Sequence, residues 1–323
     1  MRSSAVRDLF RRSAPRPAGR ALPTPGPGEP GQASQSDPPP PRASLLQAAA
    51  GATEAAANAP GPPLQTAWPQ ARLTLARRLW GPGFTFPGGE IEALRLARPL
   101  GLSPAVSLLI VNVGAGGAAS AISRNLGVWV TGLEADPALL SAGQGLITRT
   151  EQKRKVTLAA WDPSHPAIEP RSHHHCLALE ALQHPRPEPI LDALARALKP
   201  GGQMVLTELT SPEPLNANDP TVRRWAELEG RDPAQLLAPV AITRMLGRLG
   251  LDVRVGEDTS QRHLEQAMLG WRVLLNELDA KPSRHEAAQM VREAELWLLR
   301  RRLIRDGRLR MMRWHAISHA PLA

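Results

Sequence analysis

Residues 108–136, LLIVNVGAGGAASAISRNLGVWVTGLEAD, constrain the chain more than any other stretch. An apolar run from Leu108 to Val113 empties into a glycine-rich turn, and a second apolar run ends in an acid, Glu134. An unbroken apolar run of this length predicts a strand buried on both faces, as at the centre of a parallel sheet. Gly114 and Gly116 remove side chains where backbone must approach a ligand, and they permit the positive φ such a turn requires. An acid about twenty residues after the first glycine is the spacing of nucleotide-type cofactor sites in doubly wound α/β folds, where it accepts from ribose hydroxyls. The fragment points to an adenosine-containing cofactor at the carboxyl ends of two adjacent strands.

The sequence on either side supports that architecture. Helix is expected at 118–126, strand at 128–133, helix at 135–147 and strand at 156–160. A fourth strand at 176–179, a helix at 187–198, a turn through LKPGG and a fifth strand at 203–209 continue the alternation, which calls for a parallel sheet. A strand at 251–255, a helical stretch from 261 to 305 broken at Pro282, and a last strand at 308–317 after the turn Asp306-Gly307 complete the pattern. That last strand, returning beside the fifth and sixth, is expected to run antiparallel to its neighbours. Ahead of the first strand, 67–107 reads as two helices. The first carries Leu73, Leu75, Leu79 and Trp80 and closes at Gly81-Pro82-Gly83; the second carries Ile91, Leu94, Leu96 and Leu100.

Residues 1–66 are different material, dense in Pro, Gly, Ala and Ser and without apolar periodicity, and read as a disordered basic tail. The opening, MRSSAVRDLFRRSAPRPAGRALP, is Arg- and Ser-rich and acid-poor. It reads either as an organellar transit peptide or as the basic tail of a bacterial protein with GC-rich codons. The formal charge is +9, but the arginines are scattered, so no nucleic-acid partner is expected. Cys176 is the single cysteine, so no intrachain disulfide can form, and a reducing, cytoplasmic setting is expected. No apolar run reaches the ~18 residues of a membrane span.

The order of motifs in the ordered part resembles the class I S-adenosylmethionine-dependent methyltransferases. VNVGAGGA stands where that family has an acid followed by G-x-G-x-G. Glu134 stands at its second-strand acid and Asp162 at its third-strand acid. SHHHCLALEALQHPRPEPILDALARALKPGGQMVLTEL runs in register with its stretch from the fourth strand to the fifth. The resemblance implies a doubly wound, seven-stranded, mostly parallel sheet with an antiparallel last strand, a Rossmann-like fold with helical lid additions. It also implies S-adenosylmethionine as cofactor, held by Asn112, Gly114, Ala115, Gly116, Glu134, Ala135, Trp161 and Asp162. Asp162 would accept from the adenine amine and Trp161 would cover the ring; the other readings are a turn before Pro163 for Asp162 and plain packing for Trp161. The chain departs from the family at three positions: Asn112 replaces the acid before the glycines, Ala118 the third glycine, and His174 the acid at the start of the fourth strand.

Methyl transfer requires alignment more than covalent help, with a base only if the acceptor must lose a proton. Candidates after the fourth and fifth strands are Glu180, His184 and Glu208, each of which reads equally as a cap or loop anchor. The acceptor is expected to be a small molecule lidded by the first helix, the turn 84–89 and a helical insert near 215–245 and 261–305. Phe84, Phe86, Trp225, Trp271 and Trp297 are the candidate aromatics. Arginines at 300–302 and 308–313 read either as a solvated face or, if they line the cleft, as a sign of an anionic acceptor. His173 to Cys176 includes good metal-ligand types, but on a strand their faces alternate, and no metal is assigned. Two rival readings stay open. Gly114, Gly116 and Ala119 also satisfy the dinucleotide fingerprint of an NAD-dependent oxidoreductase, and an eroded, non-catalytic binding protein would keep the same fold.

Overall fold

Strand β1, Ser107–Val111, is buried at its last four positions, and parallel partners lie on both sides of it. β2 (Trp129–Glu134) pairs with it on one side and carries β3 (Val156–Ala160) beyond. β4 (His173–Leu179) pairs with it on the other and carries β5 (Leu198–Thr210). The computed structural model describes residues 68–278 and 281–319; the expected tail at 1–66 and its transit-like opening lie outside the described residues.

The sheet has seven strands in the order β3-β2-β1-β4-β5-β7-β6. β6 is Leu251–Asp258, and β7, Arg310–Ser318, inserts between β5 and β6 antiparallel to both. The reversed last strand is therefore as expected. It differs from the 3-2-1-4-5-6 order of a dinucleotide-binding sheet. Trp314 anchors β7, its ring buried in the core and its Nε1–H donated to Thr243 Oγ1 at 2.9 Å.

Helices flank the sheet: α1 (Gln70–Trp80), α2 (Gly89–Ala97), α3 (Gly117–Leu126), α4 (Pro137–Arg149) and α5 (Pro187–Ala197), then α6 (Pro220–Glu229) and α7 (Pro239–Arg248). The expected helical stretch at 261–305 is two helices, α8 (Ser260–Asn276) and α9 (Arg284–Arg305). The second starts just past Pro282 in a capping box between Ser283 and Glu286, which satisfies orphan amides at the break. Among the described residues, no helix is long and apolar enough to cross a membrane.

Two boundaries move for a physical reason. β4 begins at His173 rather than 176, because its polar first residues still pair, and His174 Nδ1 accepts from the Ser107 amide of β1 at 3.1 Å. The LKPGG turn lies inside β5, where Leu198 pairs with His173. The register then slips, so that Gln203 faces His175. The turn is a bulge in the strand rather than a break before it.

α1, α6, α8 and α9 form a cap beside the carboxyl ends of β4 and β5. It has its own apolar cluster of Leu209, Val222, Trp225, Leu228, Leu296 and Leu303. Trp225 and Trp271 are fully buried and pack in the interior.

Candidate functional site

β1 and β2 end side by side, and their last residues assemble the first half of the site from backbone. The Gly114 amide donates to Glu134 Oε2 at 2.7 Å and the Asp136 amide to Oε1 at 3.0 Å. Each oxygen keeps a lone pair for a further donor. The Glu134 side chain is buried, with the residue 3% exposed; burial pushes its carboxyl above the usual range, against the pull of the two amides. Asp136 caps α4 through the amides of Ala138 and Leu139, which fixes the turn after β2. The Trp161 amide donates to the Glu134 carbonyl at 3.3 Å, and the indole Nε1 beside it is buried without a partner. A buried carboxylate with free lone pairs at the end of β2 is suited to the hydroxyls of an adenosine.

The glycines do something the sequence did not disclose. Residues 81–89 lie directly on the turn after β1, and the Gly117 amide, first in α3, donates to the Gly83 carbonyl at 2.9 Å. A Cβ on Gly117 would stand 2.6 Å from the Gly83 carbonyl carbon, and one on Gly114 would stand 2.7 Å from Thr85 Oγ1. Those hydrogens admit the chain's own loop. A dinucleotide places its pyrophosphate on such a helix N-terminus, and here that space holds Gly83. The residues fit an adenosine without a pyrophosphate.

Asn112 and Glu180 follow β1 and β4, and both adopt left-handed backbone, with φ of 59° and 48°. Such conformations are costly for a residue with a Cβ and persist where surroundings impose them. The Asn112 Nδ2–H donates to the Glu180 carbonyl at 3.1 Å, tying the two strand ends together. An aspartate at 112 could not make that bond, which gives this departure from the family pattern a structural reason.

The second half of the site is built from side chains. Arg231, just past α6, donates from Nη2 to Glu208 Oε1 at 2.8 Å and to the Leu209 carbonyl at 3.3 Å. Glu208 Oε2 accepts from the Leu182 amide at 2.9 Å, so its carboxylate ties β5, the loop after β4 and the cap. Burial pushes the Glu208 carboxyl up, opposed by Arg231. Arg300 of α9 grips Glu229 through Nε and Nη2 at 2.9 and 2.8 Å, and its Nη1 donates to His263 Nε2 at 3.1 Å. Burial raises the Glu229 carboxyl, but Arg300, Arg72 and Arg231 outweigh it and hold it below the usual range. Burial, helped by Arg300, pushes His263 down to about 3, so its imidazole is neutral. Glu180 stands between these pairs, 3.9 Å from Arg231 Nη1 and 3.5 Å from Arg300 Nη2. Its side chain is 20% exposed, and its Oε2 accepts from Gln183 Nε2 at 3.1 Å.

The structure thus gathers Asn112, Gly114, Gly116, Glu134 and Trp161 around one turn, with Ala115 buried and Ala135 exposed beside them. Asp162 stands in a turn of its own, its side chain 57% exposed and its oxygens taken by the Ser164 amide and His165 Nδ1, each at 2.8 Å. Of the three base candidates, Glu208 is fully engaged as a latch. His184 accepts from the Arg186 amide at 3.2 Å and contacts Ser164 Oγ at 3.3 Å, leaving Glu180 as the carboxylate with capacity. Phe84 is buried against Phe86, and Trp297 packs edge-on to Trp80 at 5.6 Å. Arginines that would imply an anionic acceptor if they lined the cleft are paired to carboxylates: Arg300 with Glu229, Arg308 with Asp219, Arg313 with Glu257. Arg231 went unnoticed in the sequence, where nothing marks it apart from other arginines. His173 to His175 lie at the amino end of β4, and His174 there contacts Ser107 and Lys199. Among the described residues, no group of three or more His, Cys, Asp or Glu could hold a metal ion.

No family model matches the sequence. A 131-residue segment, 40% of this chain, is 28% identical to phosphoethanolamine N-methyltransferase 2 of Caenorhabditis elegans, and spans 30% of that protein. Among solved structures, phosphoethanolamine N-methyltransferase 2 of Haemonchus contortus in complex with S-adenosyl-L-methionine superposes with a TM-score of 0.68 at 19% identity. That match covers 76% of this chain and 56% of the other. A putative sarcosine dimethylglycine methyltransferase from Galdieria sulphuraria gives a TM-score of 0.60 at 18% identity, over 71% and 85% of the two chains. The chain spans less than two thirds of the length of the two phosphoethanolamine enzymes. With its reversed β7 and the glycine turn facing Glu134, the chain has the Rossmann-like fold of the class I S-adenosylmethionine-dependent methyltransferases.

Proposed function

We propose that this protein transfers the methyl group of S-adenosylmethionine to a nitrogen of a small-molecule acceptor. The observation that carries the reading is the Glu134 carboxylate, buried at the end of β2 and clamped by two amides with lone pairs to spare. Ribose hydroxyls are the donors it suits. Nitrogen is favoured as the acceptor atom by the relatives, whose names describe N-methylation of phosphoethanolamine and methylation of sarcosine and dimethylglycine.

When bound, the cofactor supplies a methyl already activated on a sulfonium. The chain holds and aligns. Glu134 fixes the ribose, the loop 81–89 closes over the glycine turn and excludes water, and Asn112 holds the backbone of Glu180 at the junction of the two halves. Glu180 receives the acceptor amine and takes its proton, since its carboxylate is the one in the ion-pair chain with no arginine at hydrogen-bond distance.

Calorimetric titration with S-adenosylhomocysteine and, separately, NAD tests the reading. Binding of the first and none of the second is expected; NAD binding with no response to S-adenosylhomocysteine would overturn it. Labelled-methyl transfer to a panel of small amines then tests the reaction.

A further inference from the structure

The two edges of the sheet carry different kinds of surface. At the carboxyl edge, where the site lies, Arg231 and Arg300 are paired to carboxylates. At the amino edge, the loops that enter β3, β4 and β5 bring Lys153, Arg154, Arg171 and Lys199 to one side of the molecule. None of the four makes an ion pair among the described residues. The acids there are fewer: Glu151 and Glu169 are exposed in the same loops, while Asp192 and Asp252 are taken by Arg196 and Arg254. A cation in the last turn of a helix is accounted for by the helix dipole. That covers Arg149, Arg196 and Arg248, but not the four in loops. Between the two cationic flanks the edge is apolar. Trp129 opens β2 with 51% of its surface exposed, and its amide donates to the Val106 carbonyl at 3.3 Å, next to the exposed Pro104 and Ala105. On the β4–β5 flank a groove of about 530 Å³ opens between Arg171, Arg196, Leu198, Pro200 and His319.

We propose that the amino edge of the sheet docks on a membrane surface rich in anionic lipids. Trp129 and the loop at Pro104 seat at headgroup depth, where an amphipathic ring is favoured. Lys153 and Arg154 on one flank, and Arg171 and Lys199 on the other, meet the lipid phosphates and carboxylates. The groove beside Arg171 gives a headgroup a concave place to enter. Nucleic acid is the other polyanion a cationic edge can meet. A single-strand groove interleaves its cations with a series of stacking rings. Among the described residues this edge has one large aromatic, Trp129, and it stands beside small apolar residues. An apolar centre with cations around it suits a lipid surface. Docked this way, the carboxyl edge points away from the membrane, so that a cofactor and a water-soluble acceptor reach the site from solvent. The surface is separate from the site and does not depend on which acceptor is methylated.

Co-sedimentation of the full chain with vesicles tests the proposal, with phosphatidylcholine alone and with phosphatidylserine added. The parent protein should bind the anionic vesicles about tenfold or more tighter than the neutral ones, and added salt should shrink the difference. The basic segment 1–66 would attract such vesicles too, so the assignment to the edge rests on substitutions within it. Lys153→Gln combined with Arg154→Gln should weaken binding about tenfold, and Arg171→Gln combined with Lys199→Gln by a similar factor. Trp129→Ser should weaken it severalfold at a salt concentration that already screens the cations. These side chains stand at the surface, so the thermal unfolding midpoints of the variants should match the parent's. No preference for anionic vesicles overturns the proposal. So does a preference that survives all of the substitutions, which would assign the attraction to residues 1–66. Tighter binding of a single-stranded oligonucleotide than of anionic vesicles, weakened by the same substitutions, overturns it as well and makes the edge a nucleic-acid surface.

Discussion

On the β1–β2 side of the site, Glu134 is held by the Gly114 amide 20 residues away and the Asp136 amide two residues away. On the β4–β5 side, Arg231, Arg300 and Arg72 reach carboxylates 23, 71 and 221 residues away. The first half is made of backbone geometry and is complete once two adjacent strands and a turn have formed. The second exists only after α1, α6, α8 and α9 have docked, and its parts are long charged side chains. A site of the first kind suits a ligand that does not change, and one of the second kind can be rebuilt for a new acceptor without disturbing the sheet.

Breaking the second half should therefore cost stability and spare the cofactor. Arg300→Met leaves Glu229 buried without its main partner, and a buried carboxylate so stranded destabilises by about 3–5 kcal/mol. Urea denaturation should show that loss. S-adenosylhomocysteine affinity should stay within about twofold, as for sites that share no partner. A matching collapse in affinity would show that the halves are one cooperative unit.

Breaking the first half should do the reverse. Glu134→Ala removes two charge-assisted bonds to a ribose, and calorimetry should record an affinity loss of about a hundredfold. The stranded amides of Gly114 and Asp136 should cost a smaller ~1–3 kcal/mol of stability. Parent-like affinity would remove Glu134 from the site.

A pH series sharpens the contrast, because His263 belongs to the cap. An unfolded histidine takes its proton near pH 6.5, whereas folded His263 waits until about 3. The unfolded state thus binds more protons between those values. The contribution is fully present above pH 6.5 and is lost as pH falls toward 3, by up to about 1.4 kcal/mol per pH unit. His263→Gln keeps an acceptor for Arg300 and cannot titrate, so its unfolding free energy should fall less steeply with acid in that window. Equal slopes for the two proteins would show that His263 is protonated in the fold.

The contrast also explains what could be read from the sequence. Gly114, Glu134 and the apolar run before them are neighbours along the chain, and their spacing carries the geometry. The order of β1 to β5 follows for the same reason, as does the return of β7, which the turn at Asp306-Gly307 announces. Arg231 could not be found this way, since its bond to Glu208 forms only after residues from three elements meet. The arginines at 300–302 and 308–313 read two ways in the sequence, because composition shows cations but not the carboxylates opposite them. The glycine turn was half legible: the need for glycine is local, but Gly83 and Thr85, which fill the space, come from a loop about thirty residues earlier whose docking no pattern in the turn records.

The smallest effect is expected at Asp162, the one position where family resemblance and geometry pull apart. Its motif position implies a bond to the adenine amine, yet both carboxylate oxygens are engaged within the turn, and the bond to His165, joined by the Ser164 amide, holds the carboxyl below the usual range. An exposed carboxylate already satisfied by its own turn gains little by adding a ligand in water. Asp162→Ala should therefore change S-adenosylhomocysteine affinity by less than about threefold in calorimetry, the scale of one weak neutral hydrogen bond. A loss of tenfold or more would mean that Asp162 leaves His165 when the cofactor arrives. The loop after β3 would then be a moving part of the first half, and the backbone-built side of the site would be less rigid than Glu134 and its two amides imply.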